Sequence, residues 1–181
     1  MADSLVDRFD AAVDQWWDRL RGRPELDRLF YTASELADFS VLWHLCGVAQ
    51  ALTTDEGFER AARLSVTMGL ESAIVNGGIK SLFRRTRPVH ETARPHTLRQ
   101  PRTSSFPSGH ASAAFVAAAV LSDRSRLAPL WYAMAVVVAA SRVHVRIHHA
   151  SDVAGGVAAG VALGSIAKRA WPLGRGPSWL R

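Results

Sequence analysis

Six ionisable side chains lie within residues 141–152 of this chain: three histidines, two arginines and one aspartate. Apolar runs flank the segment on both sides. Burying such groups between apolar helices is unfavourable unless they are paired or hold a ligand. His148 and Asp152 are four residues apart, so the carboxylate can accept a hydrogen bond from one ring nitrogen and leave the other nucleophilic. Arg142 adds a bidentate donor for a tetrahedral oxyanion, and the segment therefore predicts an anion site.

A second cluster, residues 106–110, reads Phe-Pro-Ser-Gly-His and is predicted to open a helix. The first N–H groups of a helix have no partner within the helix and lie at the positive end of its dipole, so they bind phosphate readily. Ser108 can cap the helix or donate to a ligand, Gly109 lets an anion approach the backbone, and His110 lies beside that anion. Taken alone, the cluster is equally consistent with a plain serine cap and an incidental histidine.

The third cluster pairs Lys80 with Arg87, which is followed by Pro88. Seven residues are close to two helical turns, so both cations can project from one face towards one acceptor. Alone, such a pair is more typical of a membrane helix end, where long basic side chains extend to the interface. The pair therefore has predictive value only in combination with the other two clusters.

Together the clusters follow the pattern KxxxxxxRP, then PSGH, then SRxxxxxHxxxD, with no specified position missing. In this order and spacing the chain resembles the type 2 phosphatidic acid phosphatase superfamily over about residues 64–167. The matching positions are Lys80, Arg87, Pro88, Pro107, Ser108, Gly109, His110, Ser141, Arg142, His148 and Asp152.

The resemblance implies a phosphatase that works through a phosphohistidine. His148 would attack phosphorus, Asp152 would orient it, and His110 would protonate the leaving oxygen and later activate water. The resemblance also implies a lipid phosphate as substrate: phosphatidate, a prenyl phosphate or diphosphate, or a phosphoribosyl prenol. Because fixed side chains supply the positive charge, no metal or other cofactor is expected. The phosphate-binding groups would be Lys80, Arg87, Ser108, the Gly109 N–H and Arg142.

Other polar residues near the clusters are predicted to lie outside the catalytic set. Supporting or surface positions are expected for His144, Arg146 and His149. Two residues of the arginine-rich connection, His90 and His96, are expected to cover the site. Satisfied polar contacts are expected for Glu71 and Asn76.

Hydrophobic periodicity predicts an all-α chain, since no strand-like alternation with hairpin turns occurs. We expect a membrane-embedded bundle of about five core helices, preceded by an amphipathic helix and interrupted by an irregular connection over 84–105. The predicted helices cover residues 3–21, 32–52, 58–83, 108–121, 127–143 and 151–168. These helices divide the chain into three predicted segments: an N-terminal helical segment (1–30), the phosphatase domain (31–170) and a tail (171–181).

In the N-terminal helix, apolar residues recur every three or four positions with aspartates between them. This pattern fits a helix packed on its own domain as well as one lying at a membrane interface. No signal-peptide pattern is visible. The single cysteine, Cys46, excludes an internal disulfide and makes a structural zinc site improbable.

Membrane integration is favoured although the clean apolar runs, about 12 to 15 residues long, fall short of the roughly 20 that a span needs. The runs are apolar on all faces, basic residues flank them, and Gly156, Gly160 and Gly164 form a row that permits close helix contact. A multi-pass cell-membrane location follows, with an extracytoplasmic site suggested by the resemblance alone.

Other classes of protein fit the sequence less well. A net charge of +6 would suit a nucleic-acid binder, but the arginines cluster around the phosphatase motifs, so no nucleic-acid partner is expected. Vanadate-dependent haloperoxidases share the motifs but resemble much larger soluble proteins. A secreted acid phosphatase would need a signal peptide, and a non-catalytic scaffold would be expected to have degraded motifs.

Overall fold

The computed structural model describes residues 4–89, 98 and 103–175, and in these ranges the chain is helical with no strand. This confirms the all-α prediction. His90 and His96, which are predicted to cover the site, lie outside the described residues, as do residues 176–181 of the tail. The helices are α1 (Leu5–Trp17), α2 (Pro24–Leu36), α3 (Val41–Thr53), α4 (Gly57–Ser72), α5 (Gly109–Leu121), α6 (Ala128–His144) and α7 (Ala150–Ala170).

The helix predicted over 32–52 is wrong, because the chain breaks between α2 and α3 at a short 3₁₀ turn, Asp38–Ser40. Phe39 and Ser40 have φ values of 53° and 60°, in the left-handed region that side chains disfavour. The apolar periodicity runs on through this turn, so nothing in the pattern indicates it. The break carries Asp38 towards the N-terminus of α5.

The helix predicted over 58–83 is also interrupted. After α4 the backbone widens into a π-helical segment, Ala73–Gly78, and then tightens into a 3₁₀ turn, Ile79–Leu82. Two consecutive glycines at the end of the π segment weaken the regular helix here. Such π segments frequently occur at functional sites, and this one immediately precedes Lys80.

Helix α5 lies at the centre of the bundle and packs against α4, α6 and α7. Its contact with α7 depends on glycine. A Cβ atom at Gly156 would lie 2.4 Å from the Ser108 carbonyl oxygen, and one at Gly160 would lie 2.4 Å from that of Ser112. Only glycine permits this approach of two backbones, as the small-residue row predicted.

Helix α1 packs on the bundle through a largely polar face, to which Trp17 adds a ring contact with Phe30. Its Asp10 is buried, whereas Leu5, Phe9 and Trp16 are half or more exposed. Arg21, just beyond the helix, donates to the Val143 and His144 carbonyl oxygens at 2.7 and 2.9 Å. The helix is therefore joined to the bundle by charge and hydrogen bonding, with apolar residues left on the outside.

The described start of the tail is tied to α4. Trp171 Nε1 donates to Glu59 Oε1 at 3.1 Å, and the Gly174 N–H donates to Glu59 Oε2 at the same distance. Arg63 donates to the Trp171 carbonyl oxygen at 3.0 Å. Residues 171–175 are therefore attached to the bundle and do not fray.

Within the described residues, α7 is the one helix whose length and composition suit a membrane crossing. The other helices are shorter, but several present large apolar side chains to the outside. These include Leu29 and Leu36 on α2, Leu45 and Val48 on α3, Val66 and Leu70 on α4, and Leu130 and Val136 on α6.

Candidate active site

A cavity of about 530 Å³ lies where the 3₁₀ turn after α4, the N-terminus of α5 and the turn before α7 meet. His110 and His148 both line it, together with Lys80 and Gly109. The structure therefore brings the three sequence clusters to one end of the bundle, around one space.

The N-terminus of α5 joins two of the clusters. Ser108 caps the helix, its hydroxyl accepting from the Ala111 N–H at 3.4 Å. A Cβ atom at Gly109 would lie 2.6 Å from Asn76 Oδ1 and 3.3 Å from Lys80 Nζ. Glycine thus makes room beside the helix N-terminus for one side chain from the π-helical segment and one from the 3₁₀ turn that follows it.

His148 is buried, and its two ring nitrogens have different neighbours. Nε2 lies 3.2 Å from Arg87 Nη1. Nδ1 lies 3.6 Å from Asp152 Oδ2, which is too far for the direct hydrogen bond that the spacing predicted. Ser105 Oγ lies 3.4 Å from Nδ1 and donates to Asp152 Oδ2 at 2.5 Å, so a serine connects the pair.

Both carboxylate oxygens of Asp152 are held. Arg85 Nη1 donates to Oδ1 at 2.6 Å, while the His149 N–H donates to Oδ2 at 2.9 Å. The Asp152 carbonyl oxygen accepts from the Ser108 N–H at 2.9 Å, which links α7 to α5. Sequence reasoning missed Ser105 and Arg85, since no spacing singles either out within the arginine-rich connection.

His110 pairs with a residue that the sequence did not suggest. Its Nε2 lies 2.8 Å from Asp38 Oδ1, in the 3₁₀ turn between α2 and α3. A carboxylate at this distance fixes the orientation of the imidazole and opposes the effect of burial and of Arg142, both of which disfavour its protonated form. No sequence signal could have found Asp38, because it lies inside a stretch whose periodicity predicts continuous helix.

The two predicted arginine clamps are both anchored. Arg87 donates to the carbonyl oxygens of Ile147 at 3.0 Å and Thr103 at 3.2 Å. Arg142 is buried and donates to the hydroxyl of Ser34 on α2. Arg87 therefore reaches His148, whereas the charge of Arg142 acts on His148 from within the bundle.

Burial lowers the pKa of His148 to about 3, and the charges of Arg142 and Arg87 add to this effect. The hydrogen-bonding influence and charge of Asp152 oppose it. Burial also lowers the pKa of Arg87, which nevertheless remains a cation near neutrality. A neutral imidazole beside fixed cations is the state that a nucleophilic histidine requires.

The residues predicted to lie outside the catalytic set occupy two kinds of position. His144 contacts Trp17 Nε1 at 3.0 Å and Asp27 Oδ1 at 2.7 Å, and Arg146 pairs with Asp18 at 2.8 Å. Glu71 instead lines the cavity, and its buried Oε1 has no hydrogen-bond partner among the described residues. The prediction of a fully satisfied contact is therefore wrong at Glu71.

Histidines and cations gathered at one end of a helical bundle have the chemistry needed to bind and transfer a phosphoryl group. Residues 60–173 match the PAP2 superfamily, so the chain belongs to this family, which confirms the resemblance seen in the motifs.

Individual relatives agree with this assignment. The chain is 41% identical over 88 residues to decaprenylphosphoryl-5-phosphoribose phosphatase of Mycobacterium tuberculosis; this covers 49% of either chain, so the match spans about half the length of the curated relative. The fold is similar to that of the transmembrane PAP2-type phosphatidylglycerolphosphate phosphatase of Bacillus subtilis, with TM-score 0.69, 23% identity, and 92% of this chain and 86% of that chain covered. It is also similar to LpxE of Aquifex aeolicus, with TM-score 0.71, 25% identity and coverages of 88% and 94%.

Proposed function

We propose that this protein hydrolyses a phosphate monoester carried by a lipid, through a phosphohistidine formed on His148. The observation that carries the proposal is that His148 and His110 line one cavity, with Lys80 beside it. Two histidines with different neighbours suit the two roles of nucleophile and general acid.

In the first step the lone pair of His148 Nε2 attacks phosphorus, and the bond between phosphorus and the leaving oxygen breaks. His110 gives its proton to that oxygen. Asp152, connected to Nδ1 through the Ser105 hydroxyl, favours the tautomer in which Nε2 is unprotonated. Arg87 Nη1, 3.2 Å from Nε2, lies where the oxygens of the transferring group would come.

In the second step His110 takes a proton from water, and the resulting hydroxide attacks phosphorus. The N–P bond breaks, its electron pair returns to His148 Nε2, and inorganic phosphate leaves. Positive charge around the phosphoryl oxygens stabilises both transition states. The groups that would supply it are Lys80, Arg87, Arg142, the Ser108 hydroxyl and the Gly109 N–H.

Among the possible substrates we favour a phosphorylated sugar-prenol. The wall of the cavity beyond the histidines carries hydroxyl, amide and carboxylate groups from Ser65, Ser72, Asn76 and Glu71, which suit a leaving group rich in hydroxyls. The mycobacterial relative, whose name refers to a phosphoribose joined to decaprenyl phosphate, supports the same choice.

We also propose that the bundle crosses the membrane several times, with the active site on the extracytoplasmic side and α1 at the interface. The large apolar side chains exposed on α2, α3, α4 and α6 support this arrangement, since a soluble monomer rarely exposes so many. A Cys46→Ser, Arg124→Cys variant would test the orientation, because exposed Arg124 lies beyond the far end of α5. Labelling of intact cells by an impermeant thiol reagent would contradict an extracytoplasmic site.

The activity is tested by phosphate release from phosphatidate, a prenyl monophosphate, a prenyl diphosphate and a phosphorylated sugar-prenol. The purified protein would be assayed in detergent with a metal chelator present. We expect release without metal, fastest from the sugar-prenol, and none from His148→Gln. Full activity in that variant would contradict the mechanism, whereas another preferred lipid would change only the substrate.

A further inference from the structure

The carboxylate of Asp10, on the N-terminal helix α1, is buried against the start of α7. It accepts from the Ser151 N–H at 2.8 Å and from the Ser151 hydroxyl at 2.7 Å. Its exposed fraction is 5%, although the neighbouring positions of α1 are mostly exposed. A side chain from a helix more than a hundred residues away in sequence therefore caps the helix that carries Asp152.

Arg85 connects this carboxylate to the active site. Its Nη2 donates to Asp10 Oδ2 at 2.5 Å, and its Nη1 donates to Asp152 Oδ1 at 2.6 Å. Nη1 also donates to the Ser151 hydroxyl at 2.6 Å. The guanidinium thus lies as a two-pronged bridge between two carboxylates, a geometry that its planar fork suits and a lysine cannot reproduce.

The bridge determines where Asp152 lies. Ser105 and the His149 N–H hold Oδ2, and among the described residues Oδ1 is bonded to Arg85 alone. Without a second carboxylate, Arg85 would be free to turn towards Asp152 in other geometries or towards solvent. Asp152 would then lose the orientation in which it faces His148 Nδ1.

We propose that Asp10 and Arg85 are positioning residues of the reaction, and that α1 thereby forms part of the active site. This inference rests on the proposed roles of His148 and Asp152. It assigns to the N-terminal helix a task beyond membrane contact, namely to fix the carboxylate that orients the nucleophile.

The test is the steady-state kinetics of Asp10→Asn and Arg85→Lys with the best substrate of the panel. Both substitutions nearly preserve size, and each removes one charge-assisted part of the bridge. We expect kcat to fall about tenfold to a hundredfold, with KM changed less than about twofold, because neither residue lines the cavity that His110 and His148 share.

Asp7→Asn is the matched control. Asp7 lies one turn before Asp10 on the same helix and is hydrogen-bonded to Ser4 rather than to Arg85. Its substitution by asparagine removes the same charge as Asp10→Asn. We expect its kcat to stay within about twofold of wild type. An equal fall in Asp7→Asn would show a general effect of charge or of helix stability and would overturn the proposal.

A double-substitution cycle separates positioning from folding. If Asp10 acts through Asp152, adding Asp10→Asn to an Asp152→Asn background should lower kcat by less than about twofold further. A full additional loss there, or unchanged kcat in both bridge variants, would overturn the proposal. An inactive wild-type protein would instead contradict the proposed function.

Discussion

Two regions hold the candidate active site from opposite sides, by different physical means. On one side α7 packs so closely on α5 that a Cβ atom at Gly156 would lie 2.4 Å from the Ser108 carbonyl oxygen. On the other side α1 and the residues after it hold the turn before α7 through arginines and aspartates. The first contact is close backbone packing, and the second is a network of charged hydrogen bonds.

The difference shows how a family motif is positioned in a small bundle. Backbone packing fixes where the N-terminus of α5 lies relative to Asp152. The charged network fixes the turn that carries His148, since Arg21 donates to two carbonyl oxygens just before it. We expect substitutions in the contact between α5 and α7 to lower the free energy of unfolding more than substitutions in the charged network of α1.

The largest effect is expected from Gly156→Ala. The new methyl group would lie 2.4 Å from a backbone oxygen, which cannot move without separating α5 from α7. We expect a loss of about 3 kcal/mol in the free energy of unfolding, measured by denaturant titration in detergent micelles. Gly69→Ala, where no atom lies within 4 Å of the added Cβ, is the control and should be neutral or slightly stabilising. Equal losses would contradict this account of the glycine row.

Arg21→Gln tests the charged side. It removes a half-buried cation that bonds the Val143 carbonyl oxygen and pairs with Asp14 at 2.6 Å. We expect the free energy of unfolding to fall by about 2 kcal/mol. Arg19→Gln is the matched control, because Arg19 is exposed and lies two residues earlier. A free energy of unfolding equal to that of the wild type in Arg21→Gln would show that the contacts of this arginine do not stabilise the bundle.

Asp38→Asn tests the pairing of Asp38 with His110, the proposed general acid. The amide cannot favour a protonated His110 as the carboxylate at 2.8 Å does. We expect kcat for an alkyl or sugar phosphate to fall about tenfold, but little change for p-nitrophenyl phosphate, whose leaving group needs no proton. Asp55→Asn, at an exposed position, serves as the control. Equal losses on both substrates would remove Asp38 from the protonation step.

The smallest effect concerns acid stability. The pKa of His148 is about 3 in the folded protein, below the ordinary value of 6.5. Below pH 6.5 the unfolded chain therefore binds a proton at His148 that the folded protein does not bind. The contribution of His148 to stability is therefore fully present above pH 6.5 and is lost as pH falls towards 3. Between about pH 7 and about pH 5.5 the wild type should lose about 1 kcal/mol more than His148→Gln. Parallel curves would show that His148 is not buried in its neutral form.

How far the sequence predicts this site depends on the range of the interactions involved. The histidine–aspartate spacing, the helix start at Ser108 and the glycine row are local patterns. The structure places the first two at one end of the bundle, and the glycine row runs from there along the contact between α5 and α7. Asp38 and Arg85 are placed by the fold itself. A left-handed turn within an apolar stretch and one arginine among several carry no local signal that spacing could detect.

The contacts of Asp10 with Arg85 and Ser151 could not be predicted for the same reason. Asp10 contacts residues 75 and 141 positions away, so its role follows only from the packing of α1. The three- to four-residue periodicity of the N-terminal segment predicts an amphipathic helix. It does not indicate that Asp10 would be the buried residue of the face that packs on the bundle, because apolar stripes normally pack there.

The central claim is that His148 carries the phosphoryl group, and trapping that intermediate tests it most directly. His110→Gln would be mixed with phosphorus-labelled p-nitrophenyl phosphate and quenched in alkali, since phosphohistidine is labile in acid. The activated leaving group lets the first step proceed, while loss of the general base slows the second. We predict label on the peptide that contains His148, and none in the His110→Gln, His148→Gln double variant. Label retained in the double variant, or located on another residue, would contradict the mechanism.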